Sequence, residues 1–131
     1  MSRYVVDAGA VLHLVTHGIT VHAQHELLAP TLLRSQVMSL LHEAVQRGDL
    51  ADDVARDRLA KAGRIKIRLL GDAVMRRRAW EVADRLGWWE TYGAEYVALT
   101  QLQADALVTT NRDFAHAAAG LVTVASVDDL G

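Results

Sequence analysis

Cysteine is missing from this 131-residue chain, and with it go disulfides, thiolate metal sites and cysteine nucleophiles. Proline occurs once, at Pro30, so glycine and helix caps have to do most of the punctuation between elements. Aromatic residues are scarce, at 5% of the chain. No apolar run approaches the roughly 18 residues that cross a bilayer, and nothing before the strand-like run after Arg3 reads as a signal peptide. These gaps predict a soluble cytoplasmic protein, and the length suits one domain spanning 1–131 with a core that needs no staples.

What is present is uneven in charge. The net charge is −2, but ten of the fourteen basic residues fall between Arg56 and Arg85 with only four acids, so that third carries +6 and the remainder −8. One surface that attracts phosphates and another that gathers carboxylates would need such a division. Arg64, Lys66, Arg68, Arg76, Arg77 and Arg78 are the candidate nucleic-acid contacts.

Tyr4, Val5 and Val6 form a short run without a polar break, suited to a parallel strand covered on both faces. Asp7 follows at once. It can cap the next helix, or it can stand where ligands gather in an open α/β sheet, just outside the carboxyl ends of the strands. A helix over Ala8–Val15 is interrupted by Gly18, and Ile19–Ala23 reads as a further helical turn. His13 and His17 are four apart and can share a helix face.

A second strand over Glu26–Ala29 stops at Pro30. A helix capped by Thr31 then carries Leu33, Val37, Leu40, Leu41 and Ala44 inward and closes at Gly48. Gln36 falls on that stripe and must find hydrogen bonds there. Asp49 is a plausible cap for a helix over Leu50–Ala62. Ile65, Ile67 and Leu69 alternate with Lys66 and Arg68 in the period of an edge strand. A helix from Asp72 to Leu86 offers Ala73, Ala79, Trp80, Val82, Ala83 and Leu86 to the interior. Trp88 and Trp89 read as packing or dimer-contact residues rather than base-stacking platforms. A helix over Tyr92–Gln103 precedes a buried strand, Ala106–Val108, with Thr109–Asp113 just beyond its end. A short helix and a last strand at Val122–Val124 complete the chain. Alternating strands and helices predict an α/β protein with a mainly parallel sheet of four to five strands and helices on both faces.

Asp7, Asn111 and Asp113 therefore converge at strand ends, where Gln36 and the Tyr92 helix can meet them. A rim of oxygen-bearing residues is how proteins hold Mg²⁺ or Mn²⁺ for phosphodiester cleavage.

The run Tyr4–Ala8, the helix Leu32–Val37, the segment Thr91–Leu99 and the block Ala104–Phe114 resemble, in this order, the successive motifs of PIN-domain proteins of the VapC toxin type. The likeness spans nearly the whole chain and is most specific from Thr91 to Phe114. It implies a three-layer PIN-like fold and a Mg²⁺-dependent ribonuclease. It also implies a commonly dimeric protein held inactive by a small antitoxin whose tail occupies the active groove. Carried over by position, Asp7 matches the family's first acid and Asp113 supplies a second. Gln36 stands where the family has Glu, Gly93 where it has Asp, Asn111 where it usually has Asp, and Gly9 where it often has Ser or Thr.

The exchanges at Gln36, Gly93 and Asn111 each remove a negative charge that offsets the cost of stripping water from a divalent cation. The reading is of catalytic positions at Asp7, Gln36, Asn111 and Asp113, with Asp7 and Asp113 as the metal-ligand candidates and nuclease activity weak or lost. Two alternatives stand beside it. One is an active Mg²⁺ or Mn²⁺ ribonuclease in which Glu90 or Glu95 substitutes for a missing acid. The other is a metal-free module that binds RNA or an antitoxin.

Overall fold

The computed structural model describes residues Met1–Gly131. Five parallel strands, β1 (Ser2–Val6), β2 (His25–Pro30), β3 (Arg68–Leu70), β4 (Ala106–Val108) and β5 (Val124–Ala125), lie in the order β3-β2-β1-β4-β5. The helices are α1 (Ala8–His17), α2 (Leu33–Gln46), α3 (Asp52–Arg64), α4 (Ala73–Leu86), α5 (Tyr92–Gln103) and α6 (Arg112–Ala118), and a 3₁₀ turn spans Val127–Leu130. The expected α/β architecture holds, with every strand pair parallel.

The topology follows from handedness. The chain moves from β1 to β2 to β3 in one direction through α1, α2 and α3, which pack on one another. It then returns past two strands to β4 through α4 and α5, which pack together. Right-handed crossovers in opposite directions put these groups on opposite faces of the sheet. The order reverses between β1 and β4, so their carboxyl ends flank a crevice. The core is one cluster in which Val5, Val6, Leu28 and Leu107 of the strands meet Leu14, Leu33, Val97 and Leu99 of the helices.

Several local expectations are corrected. Gly18, at φ 62°, closes α1 by donating its N–H to the Leu14 and Val15 carbonyls, so the chain leaves the helix and Ile19–Ala23 is irregular. Leu32, with helical backbone angles, occupies the N-cap of α2, so Thr31 does not cap it. Ala51 is the N-cap of α3, while Asp49 pairs with Arg47 at 3.0 Å. Only Arg68–Leu70 of the alternating run pairs with β2, which leaves Ile65 and Ile67 ahead of the strand. The last strand begins at Val124. Trp80 is 68% exposed because Met75, Ala79, Val82 and Ala83 form the inner stripe of α4 and Trp80 lies about 100° round from Ala79. Leu40 is turned outward in the same way, between the buried Val37 and Leu41.

Candidate functional site

The register β1–β4 sets Val6 beside Val108, so the next residues, Asp7 and Thr109, face each other across the crevice. The Asp7 N–H donates to the Val108 carbonyl at 3.3 Å. Each carboxylate oxygen accepts one hydrogen bond. Oδ1 accepts from the Ala10 N–H at 2.8 Å as the N-cap of α1, and Oδ2 accepts from the Thr109 hydroxyl. Thr109 Oγ1 in turn accepts from the Asn111 N–H at 3.1 Å. Asp7 is thus both a helix cap and a strand-end acid.

Burial raises the Asp7 pKa above its ordinary value, and the bonds from Thr109 and Ala10 offset only part of that. Over the top of the sheet, Tyr96 of α5 donates its hydroxyl to Gln36 Oε1 of α2 at 2.6 Å. Tyr96 is 2% exposed, and its phenol is pushed well up, first by burial and then by the charges of Asp7 and Glu95. Gln36 therefore finds the partner that its place on an apolar stripe demands. The neutral Tyr96–Gln36 pair bridges helices from opposite faces of the sheet, and Tyr96 feels the Asp7 charge.

Gly93 lies in the first turn of α5 against aromatic rings. A Cβ there would meet Phe114 Cε1 at 3.2 Å and Trp88 Cζ3 at 3.4 Å, and the two rings are themselves 5.9 Å apart. At Gly9 a Cβ would fall 2.8 Å from Thr110 Oγ1. Asn111 caps α6 by accepting from the Phe114 N–H at 3.0 Å, and Asp113 is exposed in the first turn of that helix. Asp7, Gln36, Asn111 and Asp113 thus share the carboxyl end of the sheet. Burial raises the Glu95 pKa, a push that the charge of Arg76 offsets only in part, and Glu90 is exposed.

A hard dication such as Mg²⁺ or Mn²⁺ takes several oxygen ligands, carboxylates foremost. This donor set does not fit one. No group of three or more His, Cys, Asp or Glu side chains is arranged to hold a metal. Asp7 and the exposed Asp113 are the only carboxylates of the four carried-over positions, and Gln36 Oε1 accepts from Tyr96.

The candidate nucleic-acid contacts are divided in space. Arg64, Lys66 and Arg68 precede or begin β3 and lie at the amino end of the sheet, where Arg68 reaches Glu26 at 3.6 Å. Arg76, Arg77 and Arg78 follow the carboxyl end of β3 in α4. Arg78 is bonded to Gln101 at 3.1 Å and approaches Glu81 at 3.7 Å. Trp88 packs against Phe114, whereas Trp89 is fully exposed. Thr109 and Tyr96 are the site residues that sequence reading did not single out. The equal offset of Asp7 and Thr109 from their strand ends could have flagged the first. No local signal pointed to the second.

No family model and no curated protein matches the chain. Several chains of solved structures resemble it. A crystal structure of PAE2754 from Pyrobaculum aerophilum superposes with a TM-score of 0.75 at 22% identity, covering 98% of this chain and 93% of that one. A crystal structure of VapBC2 from Rickettsia felis bound to a DNA fragment from their promoter superposes with a TM-score of 0.63 at 8% identity, covering 95% and 98%. The five-stranded parallel sheet between helical layers is a PIN-like three-layer fold.

Proposed function

We propose that the chain is a VapC-like PIN-domain protein of the toxin-antitoxin type, a single domain over 1–131, whose inherited Mg²⁺-dependent ribonuclease activity is weak or lost. The fold likeness to a VapBC2 structure supports the general reading. One observation carries the finer one. At the β1–β4 crevice a single buried carboxylate, Asp7, accepts a hydrogen bond on each oxygen and faces Thr109, and the Tyr96 hydroxyl that feels its charge is held neutral on Gln36. Position 93 is packed by Phe114 and Trp88. Such a rim can position polar groups of a bound partner but supplies little charge to a dication. The partners proposed are RNA, a small antitoxin and a second copy of the chain. Mg²⁺ or Mn²⁺ has a role only in an active form, in which Glu95, whose charge acts on Tyr96, is a substitute acid to test.

The test is purified protein with single-stranded RNA and Mg²⁺ or Mn²⁺, alongside calorimetric titration with Mn²⁺. The expected results are no EDTA-sensitive cleavage and no occupancy at micromolar Mn²⁺. EDTA-sensitive cleavage abolished by Asp7→Ala would overturn the loss of activity and favour the active-ribonuclease alternative. RNA binding is tested by its salt dependence, in which each lost phosphate contact among Arg64, Lys66, Arg68, Arg76, Arg77 and Arg78 lowers the slope by about one unit. An unchanged slope in all of these variants removes the RNA-binding part.

A further inference from the structure

We propose that His13 and His17 form a two-histidine site for a borderline divalent transition ion such as Cu²⁺, Ni²⁺ or Zn²⁺. The site is independent of the Asp7 rim and of the reading built on it. The two residues are four apart on α1, and their ring centroids lie 4.3 Å apart with the planes inclined by 47°. Residues at this spacing share one face of a helix.

Two imidazole nitrogens bound to one ion at about 2.0–2.1 Å are about 2.9 Å apart at a right angle and about 3.4 Å apart at a tetrahedral angle. Ring centroids 4.3 Å apart on one helix face are of the order that such a nitrogen spacing requires. His17 is exposed and His13 half-buried, so an ion can approach from solvent. The chain's ion pairs involve neither ring, and no third His, Cys, Asp or Glu completes a closed cage. The remaining coordination positions are therefore left to water or an added ligand.

Two further features favour a cation here. His17 is the last residue of α1, so the pair sits at the negative end of the helix dipole. α1 packs its other side, Ala10, Val11 and Leu14, into the core, which holds the two side chains on a fixed scaffold. The opposite end of the helix, capped by Asp7, is on the order of 15 Å away, which separates this site from the rim. Imidazole ligands suit Cu²⁺, Ni²⁺ and Zn²⁺ rather than Mg²⁺, and affinity should be greatest for Cu²⁺.

The experiment titrates the full chain with NiCl₂ and with ZnCl₂ by calorimetry. Wild type is compared with His13→Ala, His17→Ala, and His22→Ala as a control. The expected result is one ion per chain, bound at least tenfold more weakly by each of the first two variants and unchanged in the third. Thermal unfolding with and without ZnCl₂ gives a second readout, an upward shift in wild type that disappears in His13→Gln and His17→Gln. Three results overturn the proposal: no binding by wild type up to millimolar metal, equal binding in wild type and the two variants, or an equal loss in His22→Ala.

Discussion

At the carboxyl ends of β1 and β4, the polar side chains are bonded chiefly to one another and to helix N–H groups. At the amino ends of β2 and β3, by contrast, a groove of about 910 Å³ opens between Ile19, Val21, His22, Ile65, Lys66 and Ile67, where Lys66 is exposed and Glu26 stands between Arg3 and Arg68. Helix polarity accounts for much of the difference. In a parallel sheet the carboxyl ends of strands lead into helix N-termini, whose unpaired N–H groups call for acceptors, and Asp7, Asp72 and Asn111 all supply them. The amino ends receive helix C-termini, whose carbonyls call for donors. Arg34, in the first turn of α2, supplies such a donor to the end of α3, at 2.9 Å to the Ala62 carbonyl and 3.4 Å to that of Ile65. At the carboxyl end Asp7, Asp72 and Asn111 are thus committed to capping, and the acid Asp113 is left exposed.

The contrast is tested most severely at Tyr96. Tyr96→Ala should cost about 3–5 kcal/mol because it empties a buried site, and Tyr96→Phe about 1 kcal/mol, the worth of the bond to Gln36. Urea unfolding measures both, and a loss as large in Lys66→Ala would break the distinction between the two ends. Next comes Gly93→Asp, which forces its Cβ against Phe114 and Trp88 and should destabilise by about 1–2 kcal/mol. Combining it with Phe114→Ala should relieve part of that, and strictly additive free energies would show that the rings do not close the position.

Asp7 provides the pH test. Its folded pKa lies above the ordinary 3.8, so between these values the folded chain holds a proton that the unfolded chain has released. Stability therefore falls as pH rises through that window and is greatest below it. Asp7→Asn keeps an oxygen to cap α1 and should remove this share of the slope, leaving that of Glu95, which has the same sign. Unfolding midpoints from pH 4 to 8 check it, and superimposable slopes in wild type and variant count against a strained, buried charge. The smallest effect belongs to the amino end, where Lys66→Ala should change stability by less than about 0.5 kcal/mol.

Much of the architecture was legible because it is written in local periodicity. The apolar run Tyr4–Val6, the helical stripe through Leu33, Val37 and Leu41, and glycine at positions 18, 48 and 87 with positive φ each mark an element or its end. The misreadings lie where two local rules competed. Trp80 is apolar but sits one step off the inner stripe, and Thr31 is a good cap next to a residue that was already helical. At the candidate site, the strand-end placement of Asp7, Asn111 and Asp113 was readable. The partner of Gln36 was not, since it lies sixty residues away on the other face of the sheet.

By itself, the order of residues determined which elements form, that they alternate into a parallel sheet, and which side chains stand at strand ends. Only the tertiary structure decided that Thr109 binds Asp7, that Tyr96 answers Gln36 and that Phe114 closes the space beside Gly93. It also divided the basic residues between the two ends of the sheet. The reason is physical: periodicity and caps act over a turn or two of chain, whereas the charge left available at a site depends on hydrogen bonds between segments that meet only when the sheet assembles.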